Sequence, residues 1–181
     1  MAHKILMIIA PDQFRDEELL VPRKAFQAQG WTVDTMSTRI GEARGMLGAV
    51  ESVAHDLPYA EAEAKNQGYD AVIVVGGMGS VEYLWDNTQL HRILQTISRQ
   101  ERVVASICLS GAVLANAGLL RGKRATVWEM PESLEAMKVG GCTYTGEPLT
   151  VDSNIVTANG PDAAQQFAQA VIERVQALIP A

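Results

Sequence analysis

Four apolar runs, each hydrophobic at nearly every position and each stopped by turn chemistry, constrain most strongly what this chain can fold into. They cover 4–10 before Pro11-Asp12, 31–37, 70–75 before Gly76-Gly77, and 102–107 before Cys108. Alternating polarity would mark strands with one wet face, whereas near-continuous apolarity marks strands buried on both faces. Segments of helical spacing lie between them: 17–29 with Leu20, Ala25 and Phe26 expected to face inward, 90–100 with Leu90, Ile93, Leu94 and Ile97, and 110–117. Buried strands alternating with amphipathic helices predict an α/β fold, a mostly parallel sheet with helices on both faces. The 181 residues match one domain spanning 1–181, and 48% hydrophobic against 20% charged residues supplies a real core.

Two segments break the alternation. Glycines at 41, 45 and 48 among short alternating pieces predict a hairpin excursion over 41–55, and 142–144, 149–151 and 155–158 predict short strands at a sheet edge. A closing helix over 162–178 carries the stripe Phe167, Val171, Val175 and Leu178. The net charge of −6 disfavours nucleic acid and anionic membrane as partners, because either would repel the average surface. No apolar run approaches the roughly 18 residues of a membrane helix, and the apolar run at 5–10 is too short and wrongly followed for a signal peptide. Two cysteines, Cys108 and Cys142, form no Cys-x-x-Cys pair and have no nearby histidine, so neither a disulfide framework nor a metal site is indicated, and a cytoplasmic location is expected.

Chemistry concentrates at three strand ends. Residues 103–112 read as a buried strand, a Cys and then small residues opening a helix. Such a strand-turn-helix elbow presents the side chain at a helix's positive end, where a thiolate would be stabilised and a nucleophile is the natural use. The plain alternative is a packed thiol, since free Cys is among the most buried residue types. The turn Gly76-Gly77-Met78-Gly79 ends a second strand and could aim N–H groups at a developing oxyanion; it lacks the Gly-Lys-Ser/Thr of a phosphate loop and the spacing of a dinucleotide fingerprint. It would equally serve as a tight turn. The cluster Asp16-Glu17-Glu18 opens the first helix. Acids there usually just complement the helix dipole, but one buried beside a thiol would be protonated and could exchange a proton with a substrate.

Taken in order, Phe14-x-Asp16-x-Glu18-Leu19, the strand 70–75 with Gly76-Gly77, Ala105-Ser106-Ile107-Cys108, the segment 119–126 and Asn159-Gly160-Pro161 resemble the ThiJ/PfpI superfamily over essentially the whole chain. The resemblance implies a flavodoxin-like three-layer sandwich related to class I glutamine amidotransferase domains, and a homodimer or higher homo-oligomer. It makes Cys108 the elbow nucleophile and Glu18 its carboxyl partner, with Gly76, Gly77 and the Leu109 amide bordering an oxyanion pocket. Activities in the superfamily include glyoxalase III or deglycase chemistry on small carbonyls, isocyanide hydration, peptidase or amidase activity, and redox sensing. No cofactor is implied. Peptidase-like members carry His directly after the Cys, and here that residue is Leu109; His3, His55 and His91 fall in no matching block. Trp128 stands near where other members place a pocket His. Ser106 and Glu82 are further pocket candidates, Glu82 by reaching a partner subunit, with small-residue packing and a solvated helix position as their ordinary roles. Tyr83 and Trp85 could wall the pocket or belong to the core. The resulting expectation is an enzyme acting on a small electrophilic carbonyl, with a redox sensor and an intracellular hydrolase as alternatives.

Overall fold

In the computed structural model, which describes residues 2–180, the four runs become the strands of one sheet. The chain runs through β1 (Lys4–Ile8), β2 (Asp12–Phe14), α1 (Asp16–Ala28), β3 (Thr32–Met36), β4 (Gly41–Gly45), β5 (Val50–Val53), α2 (Leu57–Lys65) and β6 (Ala71–Val74). It continues through α3 (Gly79–Tyr83), α4 (Thr88–Arg99), β7 (Val103–Ile107), a 3-10 turn (Cys108–Ser110), α5 (Gly111–Asn116), β8 (Arg124–Ala125) and α6 (Pro131–Val139). It ends with β9 (Thr143–Tyr144), β10 (Leu149–Asp152), β11 (Ile155–Ala158) and α7 (Ala164–Leu178). The main sheet has the order β10-β11-β7-β6-β1-β3, parallel throughout except for β10 against β11. Helices α1 and α7 pack together on one face, and α2, α4 and α5 on the other. This is the flavodoxin-like arrangement expected from the resemblance. Its strand order reverses direction between β1 and β6, and ligands of such sheets bind beyond the carboxyl ends of the strands at that crevice.

The fully buried strands β6 and β7 show why their sequences lack alternation: helices cover both faces. Strand β3 differs, since it forms the sheet edge and is only half-buried. The predicted hairpin is β4 against β5. Of the late short strands only β10 is an edge strand. β11 lies inside the sheet, parallel to β7, and β9 pairs with β8 in a separate ribbon. Helices α2 and α6 and the short strand β2 have no counterpart in the sequence reading. Among the described residues, no helix is long and apolar enough to cross a membrane.

Helix α1 corrects one expected face. Its buried residues are Asp16, Glu18, Leu19, Pro22 and Phe26, while Leu20 is 42% exposed. Two carboxylates occupy inward positions, so apolarity alone places the stripe one residue too far along. Leu178 is likewise exposed, because α7 ends there and its last turn leaves the core, whereas Phe167, Val171 and Val175 are buried as expected.

Asp16 anchors the hairpin to the start of α1. Its two carboxylate oxygens accept the N–H groups of Leu47 and Ala49 at 3.0 and 2.8 Å, and the Arg23–Glu51 pair ties β5 to the same helix through bonds of 2.8 and 2.6 Å. Asp16→Ala strands two N–H groups and should lower stability by about 1–3 kcal/mol. The urea midpoint is expected to fall, together with faster proteolysis across 46–49. An unchanged midpoint would show that the turn holds itself.

Candidate active site

Three chain segments meet above the carboxyl ends of β1, β6 and β7. From β7 comes Cys108, held at φ +60°, a left-handed conformation that a non-glycine residue adopts only when its surroundings enforce it. The enforcement is visible. The Cys108 carbonyl accepts the Trp128 N–H at 3.1 Å, the Leu109 carbonyl accepts the Trp85 indole N–H at 2.9 Å, and the Ser110 hydroxyl donates to the Val75 carbonyl at 2.7 Å. The expected elbow is therefore present, braced from behind by Trp85 rather than walled by it.

From β6 comes the glycine turn. A Cβ on Gly76 would lie 2.6 Å from Glu18 Oε1 and 2.7 Å from Cys108 Cβ, so only glycine lets the carboxyl and the thiol become neighbours. Gly77 has φ +104°, and a Cβ there would strike the backbone of residues 13 to 15. From the segment after β1 comes Glu18, with no exposed surface, its Oε1 accepting the Gly76 N–H at 3.0 Å. That bond revises one expectation: the Gly76 N–H is committed to Glu18 and is not free for an oxyanion. The N–H groups of Gly77 and Leu109 remain, both turned toward the sulfur.

The cavity over Cys108 measures about 140 Å³ and is lined by Arg15, Met46, Gly77, Met78, Leu109, Trp128, Pro161 and Cys108 itself. Trp128, 49% exposed, forms one wall and lies so close to Gly160 that a Cβ there would be 2.8 Å from its ring. Ser106 lies buried in β7 without a partner for its hydroxyl, and Glu82 is exposed on α3; neither lines the cavity, nor does Tyr83. Nothing in the sequence marked Met46 or Met78 as cavity residues, because their place depends on how the hairpin and the glycine turn fold over the site. Pro161 sat within a matching block, and Arg15 within the acidic one. No histidine lines the cavity: His3 bonds Asp70, His55 stacks on Tyr59 at 3.9 Å, and His91 bonds the Trp85 carbonyl. Cys142 packs half-buried against the core.

Burial sets the protonation of the pair. It pushes the Glu18 carboxyl up to about 8, against the thiol, the Gly76 N–H and the Arg15 charge, all of which pull it down. It pushes the Cys108 thiol up to about 12, assisted by the Glu18 charge and opposed by the Leu109 and Gly77 N–H groups. The resting pair at neutral pH is thus a thiol beside a carboxylic acid. The expected dipole-stabilised thiolate gives way to desolvation, since only a 3-10 turn and a six-residue helix follow the sulfur. Oε2 has no hydrogen-bond partner among the described residues, so only Oε1 of the buried carboxyl is tied down.

The raised carboxyl has a stability consequence. The folded protein holds the Glu18 proton up to about pH 8, while the unfolded chain releases it near 4.5, so this group's contribution declines as pH rises between those values. Glu18→Gln retains the acceptor for Gly76 and removes the decline. Its stability relative to wild type should grow from pH 5 to pH 7 by about 3 kcal/mol. Urea unfolding of both proteins at the two pH values measures this; a constant gap would mean the carboxyl is ionised throughout.

A family model described as DJ-1/PfpI matches residues 3–174. An uncharacterized protein of Methanocaldococcus jannaschii is 43% identical over 176 residues, covering 96% of this chain and 82% of that protein. A protein of Pyrococcus abyssi named a deglycase is 30% identical over 156 residues, covering 86% of this chain and 90% of its own. Among solved structures, a ThiJ/PfpI domain protein from Brachyspira murdochii superposes with a TM-score of 0.90 at 30% identity, covering 98% of both chains.

Proposed function

The chain belongs to the DJ-1/PfpI family, and on that premise we propose that it is a cofactor-independent, cysteine-dependent enzyme acting on a small electrophilic carbonyl compound or its adducts, of glyoxalase or deglycase type. The observation that carries the reading is a buried carboxylic acid beside a thiol at the floor of a small apolar cavity. The deglycase name of the Pyrococcus abyssi relative supports the same class.

In this reading the Cys108 sulfur adds to the carbonyl carbon and the carbonyl π pair moves onto oxygen. The N–H groups of Gly77 and Leu109 hold that oxygen. Glu18 takes the proton the thiol gives up and returns it to the substrate, which a carboxyl titrating near neutrality does well. The reactive form is the pair after losing its first proton, which can reside on either group. Peptide hydrolysis of the Cys-His kind is disfavoured, since no imidazole lines the cavity. Exposed Ile40, Leu47 and Val50 on and beside the hairpin that flanks the cavity support a homodimer or higher homo-oligomer.

Turnover of methylglyoxal by wild type, Cys108→Ala and Glu18→Gln tests the reading. Cys108→Ala should abolish turnover and Glu18→Gln should reduce kcat by about 100-fold or more. The wild-type kcat/KM should rise with pH and level off above about 8, where the pair has lost its first proton. Unchanged rates in either variant would remove the mechanism. If dilute peroxide adds two oxygens at Cys108 while a panel of carbonyl substrates shows no turnover, the protein is a redox sensor instead.

A further inference from the structure

Arg15 breaks the local rules of its position. It immediately precedes α1, where Ser, Thr, Asp or Asn usually accept from the first N–H groups, and its side chain caps nothing. A cation at this end also opposes the helix dipole. Helix formation therefore gives no reason for an arginine here. Its backbone does have a fixed place: the Arg15 N–H donates to the Gly76 carbonyl at 3.0 Å, which holds the residue against the glycine turn. Its side chain lines the Cys108 cavity, and among the described lining residues it is the only charged one. Two of its donors are used, Nε to Glu17 Oε2 at 2.6 Å and Nη2 to Glu17 Oε1 at 3.3 Å. Nη1 has no partner among the described residues, and about a third of the side chain is exposed.

We propose that Arg15 makes this site selective for small electrophiles that carry a carboxylate, bound at Nη1 while the electrophilic carbon meets Cys108. The inference rests on the carbonyl chemistry proposed above and narrows its substrate class. Three features support it. A guanidinium with free donors is matched to a planar carboxylate, and its partial pairing with Glu17 fixes its orientation. The cavity of about 140 Å³ has Arg15 and Cys108 together in its lining, so a carboxylate and a reacting carbon of one small molecule can reach both. No carboxylate lines the cavity among the described residues, so nothing of like charge in its wall opposes an anion beside Arg15. For a carboxylate-bearing aldehyde or ketone, the step balances as an addition. The Sγ–C bond forms, the π pair goes to the carbonyl oxygen, and the thiol proton ends on that oxygen through Glu18, with no oxidant or reductant.

The test uses two alkylating reagents of nearly equal size, anionic iodoacetate and neutral iodoacetamide, with the rate at Cys108 followed by peptide mass. In Arg15→Gln the ratio of iodoacetate to iodoacetamide rates should fall at least fivefold relative to wild type, and Arg15→Lys should recover at least part of it. A ratio that falls less than fivefold overturns the proposal, as does a common loss of both rates at constant ratio. Should Arg15→Gln not fold, Glu17→Gln decides. Removing the Glu17 charge that partly neutralises the guanidinium, while the amide oxygen can still accept from it, should raise the ratio at least twofold, and a smaller rise overturns the proposal. Alkylation needs only the thiol and its cavity. Absence of turnover across a panel of carbonyl compounds, a carboxylate-bearing aldehyde included, would therefore sink the carbonyl reading without moving this ratio, and an unmoved ratio would sink anion selectivity while leaving carbonyl turnover intact.

Discussion

The bond from the Gly76 N–H to Glu18 Oε1, 3.0 Å long and out of reach of water, joins the end of one central strand to the first turn of α1. It fixes where a carboxyl sits relative to the sulfur delivered by the next strand. A buried carboxylate would demand several partners or a nearby cation. This one has a single N–H, a thiol and the pull of the Arg15 charge, which together do not offset its burial, so it keeps its proton through neutral pH. Most of the site's chemistry follows from that shortage of partners. The acid is available to move a proton, and the thiol beside it is not held permanently as an anion.

The same corner concentrates steric demands that the sheet can bear. Cys108 adopts a left-handed backbone at a strand end, and Gly76 and Gly77 give up side chains so that three segments can close together. Conformations of this kind cost on the order of 1–3 kcal/mol each and persist only where the surroundings over-determine them. Here the surroundings are the parallel ladders on both sides of β6 and the side-chain bonds from Trp85 and Ser110. Two walls of the cavity, Met46 from the hairpin and Trp128 from the loop after β8, are supplied by segments outside that ladder. Arg15 and Asp16, at the start of α1, join the ladder to the hairpin: the Arg15 N–H bonds the glycine turn and the Asp16 carboxylate holds the hairpin.

How much of this could be read from the chain follows from which forces act locally. The central strands announce themselves because helices cover both their faces, and the elbow because a Cys follows such a strand and small residues follow the Cys. The resemblance placed Glu18, whose burial no local pattern could show. The face of α1 was misread at Leu20 because inward positions hold carboxylates, a choice made by tertiary contacts with the hairpin and the glycine turn. The Gly76 N–H was expected to serve a substrate, and its use by Glu18 depends on a contact across 58 positions of sequence. Met46 and Met78 were invisible for the same reason: their place at the cavity is decided by how the hairpin and the glycine turn fold over the sulfur.

The central claim is that Glu18 stays protonated beside Cys108 at neutral pH. Carbon-13 NMR of glutamate side-chain carboxyls, with Glu18→Gln used to assign the resonance, measures it directly. The account predicts one carboxyl that remains protonated at pH 6 and titrates near 8. A Glu18 resonance already in its carboxylate position at pH 6 would contradict it.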